Sequence, residues 1–195
     1  FGAGSSDPAL FLIGDPKQAI YGFRGGDVET YLAARDTAQM APPLSHNFRS
    51  RPAVLDSIEA LYDQAQAAHE DDPDAIDPPF IDPRIRFHAV QPGGGREDAE
   101  YRRNGAPAPA LTLWQAPEPA ETDAKGRRKP HTSPQSRELA TDACVAAIHA
   151  VLSDARDGRA SIKGEPVRPG DIAVLVRKHS EAVMIRDALA AVGIP

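Results

Sequence analysis

Apolar positions along this chain recur at two spacings, near two residues and near 3.6, and the switches between them outline its elements. Residues 9–14 are a short continuous apolar run bounded by Pro8 and Gly14-Asp15, the pattern of a buried strand. Val28, Tyr31 and Leu32 follow at helical spacing, with Asp27 able to cap the helix they predict. Ser50 is a candidate cap for a second helix, with Pro52 in its first turn and Val54, Ile58, Leu61 and Tyr62 along one side. Residues 85–90 and 110–114 read as short strands. A long helix over about 135–157 turns Val145, Ile148, Val151 and Leu152 inward. The strongest strand pattern after the first is 171–177, and it leads into a helix carrying Ala182, Ile185, Leu189 and Val192. Strands alternating with helices across long connections predict an α/β fold with a parallel sheet.

The gaps between these elements are informative too. From about residue 69 the text becomes Asp/Pro-rich, and 93–108 reads as a loop opened by Gly93-Gly94-Gly95. Residues 117–135 read as a mobile surface excursion carrying Lys125-Gly126-Arg127-Arg128-Lys129. That basic run suits a solvated loop, and contact with phosphates is the other reading. No internal repeat is evident.

Composition narrows the class. The chain has 195 residues, 41% hydrophobic and 26% charged, enough for one domain or two small ones. No apolar run approaches the length of a bilayer span, so no membrane partner is expected. There is no initiator Met and no leader pattern, and both ends read as internal to something longer. Cys144 is the single cysteine, which excludes a disulfide framework and a Cys-based zinc site. On its apolar helix face it is expected to be buried and inert, and it fits a reducing cytoplasm. The net charge of −6 argues at first against nucleic acid. Residues 61–100 alone set three arginines against ten acids, however, so an acidic connector accounts for the imbalance.

Two clusters carry candidate chemistry. Following the first strand, Gln18 can both donate and accept hydrogen bonds, and so can register a water or a terminal phosphate. Tyr21 and Phe23 offer flat faces for unpaired bases, worth about 1–3 kcal/mol per base stacked. Arg24 adds a fork for a phosphate. Core aromatics beside a surface salt-bridge arginine would fill the same positions. In the second cluster Arg49 precedes a helix N-terminus, where an anion is already favoured. Phe48 beside it can stack on a purine. Read alone, that segment is better explained by a plain Ser50 cap beside a surface arginine.

Together the clusters resemble the superfamily 1 DNA helicases of the UvrD/Rep type. The stretch Gly14-Asp15-Pro16-Lys17-Gln18-Ala19-Ile20-Tyr21-Gly22-Phe23-Arg24-Gly25-Gly26-Asp27 looks like their motif III, and Asn47-Phe48-Arg49-Ser50-Arg51-Pro52 like their motif IV. The wording Asp15-Pro16-Lys17-Gln18-Ala19-Ile20-Tyr21 is most similar to the RecB type. The resemblance implies a RecA-like motor fragment: 1–44 ending the first motor domain, and 45–195 opening the second, with the loop at 117–135 and the late strand–helix unit inside it. It implies that Gln18 couples γ-phosphate state to DNA and that Tyr21 and Phe23 line the single-strand track. Arg24 would contact DNA or brace the interdomain cleft, Arg49 would reach the γ-phosphate, and Phe48 would lie near the adenine. Phe48 stands where the family often has Tyr or Trp, which keeps stacking and loses any hydroxyl contact.

The same resemblance implies a parent that is an ATP- and Mg²⁺-dependent helicase/exonuclease. It would act on single strands from duplex ends in recombinational repair, beside RecC-like and RecD-like subunits. UvrD-like or AddA-like helicases, and a non-catalytic DNA-binding module, remain open alternatives. The sequence contains no Gly-x-x-x-x-Gly-Lys-Ser/Thr phosphate loop and no Asp-Glu pair ending an apolar strand. The segment by itself is therefore expected to hydrolyse no ATP, to hold neither nucleotide nor metal tightly, and to self-associate through uncovered sheet edges.

Overall fold

The computed structural model describes residues 11–18, 28–80 and 82–194. The chain divides into two compact units, Phe1–Asn47 with Ile58–Gln91, and Phe48–Ser57 with Pro92–Pro195. Among the described residues no helix is long and apolar enough to cross a membrane.

In the first unit a 3₁₀ turn at Pro16–Gln18 precedes helix α1 (Val28–Thr37), whose Leu32 is fully buried. Tyr31, one residue before it, lies against Gly14. A Cβ there would stand 2.9 Å from the ring, so only glycine permits the approach. Arg84 reaches from the 82–84 turn to the Glu29 carboxylate on α1 at 2.7 and 2.9 Å, and to both Asp82 oxygens at 2.9 and 2.7 Å. Its guanidinium holds the Asp82 carboxyl down at about 2, through that hydrogen bond first. Tyr62, on helix α2 (Pro52–Asp71), stacks on Phe80 and on Phe87 with ring centroids 5.0 and 4.9 Å away. Strands β1 (His46–Asn47) and β2 (Gln91–Pro92) form the parallel part of the fold, the Gln91 N–H donating to the Ser45 carbonyl at 2.8 Å.

The second unit is built on a four-stranded antiparallel sheet in the order β4-β3-β5-β6. Strands β3 (Tyr101–Arg103) and β4 (Ala106–Pro107) are joined by Asn104-Gly105, both at positive φ (53° and 79°). Such a two-residue turn matches the right-handed twist of the strands it joins. Lys163-Gly164 repeats this between β5 (Ala160–Ile162) and β6 (Glu165–Pro166). Helix α3 (Ser133–Arg156) starts at a reciprocal capping box between Thr132 and Gln135 and covers one sheet face. Its Ala155 packs with Ala160 and Val167, and Tyr101, Val151, Leu152, Ile162 and Ile172 close around them. Asp154, near the end of α3, accepts from Arg103 at 2.6 Å and Arg159 at 2.6 Å, so these guanidiniums depress its carboxyl. Helix α4 (His179–Ala191) turns Ala182, Ile185 and Leu189 toward Val174 and Val176, the face expected from its spacing.

The helices lie where the periodicity puts them, but the expected faces are only partly covered: Val192 falls just past α4 and is 47% exposed, and in α2 the buried residue is Leu55 while Ile58 and Leu61 are 39% and 51% exposed. The start of α2 differs as well. Pro52 is its first residue, the flanking position is Arg51, and the Asp98 carboxylate accepts from the Ala53 N–H at 3.0 Å. The strand expectations need more correction. Residues 11–14, 85–90, 110–114 and 172–176 lie in no assigned strand; Phe11 and Ile13 of the expected buried strand are 84% and 98% exposed, and Leu113 and Leu175 are 80% and 96% exposed. A strand needs backbone partners, and its own pattern does not supply them. Conversely, the expected loop at 93–108 contains the β3–β4 hairpin. Residues 117–135 are not featureless either. Thr122 bridges Arg128, Asp123 holds the turn through the N–H groups of Lys125 and Arg127, and Arg127, Arg128 and Lys129 pair with Asp123, Glu118 and Glu121. Its basic side chains are engaged with acids of the same loop, which favours the solvated reading over phosphate contact.

Candidate functional site

The two clusters have different outcomes. Gln18 ends the 3₁₀ turn of the first unit, while Tyr21, Phe23 and Arg24 lie outside the described residues. Phe48 and Arg49 lie in the second unit, on the bend that enters α2.

That bend is fixed by Arg51. Its guanidinium donates to the carbonyls of Asp98 (3.0 Å), Ala108 (3.3 Å) and Pro109 (3.4 Å), and it sits 5.7 Å from the Tyr101 ring centre. With the Asp98 carboxylate holding the Ala53 N–H, two hydrogen-bonding groups tie the entry of α2 to residues 98–109. Arg51 is therefore committed to structure, and its neighbours are presented by it.

Beside the bend lies a groove of about 650 Å³, within the usual range for small-molecule sites. Arg49, Arg51 and Arg96 line it together with Glu100 and Asp171, and α3 supplies an apolar floor through Ala147, Ile148 and Val151. Three guanidiniums thus face two carboxylates. Both carboxylates have partners already: Glu100 with Arg96 at 3.3 Å, and Asp171 with the Arg168 N–H at 2.8 Å. The buried Nε of Arg96 makes no hydrogen bond among the described residues. Among the guanidiniums, Arg51 is likewise bonded to backbone carbonyls and Arg96 to Glu100, and the wall carries one more positive than negative side chain.

Phe48 stands next to this wall. Its ring lies on the backbone of Gly93, where a Cβ would come within 2.7 Å of Cε1, and it is nevertheless 68% exposed. Segment 48–49 therefore meets the glycines at 93–94, and Arg49 and Arg96 both line the groove. Gly93 and Arg96 carried no motif. Their only trace in the sequence is three glycines followed by an arginine.

Cys144 is half-buried, and desolvation pushes its thiol up, away from the reactive thiolate. Among the described residues no three His, Cys, Asp or Glu side chains gather as a metal site.

Comparison with known proteins adds a second line of observation. The UvrD/REP helicase N-terminal domain matches residues 3–39. The chain is 33% identical over 193 residues to the RecBCD enzyme subunit RecB of Escherichia coli K12, covering 97% of this chain and 15% of that protein. To RecB of Mycobacterium tuberculosis H37Rv it is 35% identical over 191 residues (98% and 15%). To RecB of Haemophilus influenzae it is 34% identical over 190 residues (95% and 13%). The chain thus spans about 15% of the length of the curated relatives it matches.

Proposed function

We propose, from the premise that this chain belongs to the RecB family of UvrD/Rep-type helicases and is a segment of such a subunit, that it carries the coupling and phosphate-sensing parts of an ATP-dependent DNA motor. Residues 1–44 end the first RecA-like motor domain and 45–195 open the second. The parent hydrolyses ATP to move along single strands from duplex ends, as the helicase/exonuclease subunit of a recombinational-repair enzyme with RecC-like and RecD-like partners. It works in the cytoplasm. The unpaired segments 110–114 and 172–176 become sheet strands when the rest of the motor domain supplies their neighbours.

The observation that carries this reading is the pairing of an exposed aromatic plate, Phe48, with Arg49 on the wall of an arginine-lined groove. Phe48 stacks on the adenine. Arg49 donates to the γ-phosphoryl oxygens, where negative charge gathers during transfer. Gln18 registers the γ-phosphate and passes its state to Tyr21, Phe23 and Arg24, which hold the unpaired strand. Mg²⁺ neutralises the phosphates in such a reaction.

Arg49→Ala in the full-length protein tests the assignment. Single-strand-stimulated ATPase kcat should fall by about 10³-fold, with a much smaller change in KM. A raised KM at unchanged kcat would mean that Arg49 binds ground-state nucleotide only, and the assigned role would be lost.

A further inference from the structure

We infer that Gly93 is a positioning residue for nucleotide binding, acting through Phe48. The inference rests on the reading of Phe48 as the residue that stacks on the base. A Cβ at Gly93 would stand 2.7 Å from Cε1 and 2.9 Å from both Cδ1 and Cζ of the Phe48 ring, closer than real side chains come. Only a bare backbone lets the ring lie flat there. The neighbouring Gly94 has a different reason to be glycine, its φ of +75°. Gly93 has no such backbone need, and the nearest atoms a side chain there would meet are those of the ring.

The consequence follows from exposure. Phe48 is 68% exposed, so an added methyl group displaces the ring toward solvent. The plate then leaves its place beside Arg49 while the bend itself stays anchored by Arg51. Gly93 thereby sets the angle at which a base meets the site, from a position 45 residues away in sequence. Its substitution weakens recognition of the base and leaves recognition of the phosphates in place.

The experiment compares Gly93→Ala, Phe48→Ala and the double variant in the full-length protein, by steady-state ATPase kinetics and competition with inorganic tripolyphosphate. Gly93→Ala should raise KM for ATP by about five- to tenfold, which a lost base stack supplies. It should leave kcat within about twofold. Tripolyphosphate has no base, and its inhibition constant should not move. Phe48→Ala should raise KM similarly, and the double variant should be no worse than Phe48→Ala alone. An unchanged KM in Gly93→Ala, effects that multiply in the double variant, or parallel losses of kcat and melting temperature would overturn the inference. An unchanged KM in Phe48→Ala would instead remove the stacking role beneath it.

Discussion

The second unit is held by a hydrogen-bonded sheet, whereas the described part of the first is held mainly by side chains. In the second, β3 bonds to β4 through a two-residue turn and to β5 at the end of α3, and the core residues Ala155, Ala160 and Val167 lie beneath that ladder. In the first, the described backbone pairing is the short β1–β2 contact. Cohesion there comes from the buried Leu32, the Tyr62–Phe80 and Tyr62–Phe87 stacks, and the Arg84 clamp on Glu29 and Asp82. Ladders close cooperatively, while single anchors fail singly. The site residues follow the same division. Phe48 and Arg49 are presented by a bend with several fixed partners, and Gln18 by a three-residue turn.

The sharpest way to break this comparison is to remove the deepest anchor of the first unit. Leu32→Ala should cost about 2–5 kcal/mol, since a fully buried leucine leaves a cavity behind. Hydrogen exchange should accelerate throughout α1 while the β3–β5 amides keep their protection. Equal loss in both places would show that the two units unfold as one, and the contrast would disappear. A smaller effect is expected from Arg51→Met, which keeps the aliphatic stem but deletes the bonds to Asp98, Ala108 and Pro109. Losing charged hydrogen bonds of this kind should cost about 1.5–3 kcal/mol. The exchange of the Ala53 and Ala108 amides should rise first, because the bend and the hairpin are joined there. Protection in α1 should not change.

How much of this was legible in the sequence depends on where each element finds its partners. The helices were legible because periodicity is local: Leu32, Val145 and Ile185 fall on the faces their spacing predicts, whereas the start of α2 is tied by Asp98, distant in sequence. Segments 85–90 and 172–176 have the composition of strands, but a ladder depends on a neighbour that the segment does not encode. Asn104-Gly105 was a readable hairpin signal inside an apparent loop. Lys163-Gly164 was not, since lysine rarely adopts a φ of 52°. At the site, Phe48 and Arg49 were visible through their motif. Gly93 and Arg96 were not, because tertiary folding alone brings them to the same wall.

Acid offers the finest test, because each unit has a carboxylate held low by arginine. Arg84 holds Asp82 at about 2 in the first unit, against an ordinary value of 3.8. Arg103 and Arg159 depress Asp154 in the second. A carboxyl depressed on folding contributes its stability fully above the unfolded value and loses it as pH falls through the folded one. Asp82 should therefore support the first unit down to about pH 4, with its contribution gone by about pH 2. Following exchange of the α1 amides across that window should show protection falling with acid, and Asp82→Asn should flatten the fall. The same titration of Asp154→Asn should flatten the response of the β3–β5 amides instead. Both losses should be small, because Asp82 and Asp154 each meet their arginines near solvent, where ion pairs are screened. A response of α1 to Asp154→Asn as large as its response to Asp82→Asn would show that the ladder supports both units. The difference between cooperative and single-anchor cohesion would then lie in degree rather than in place.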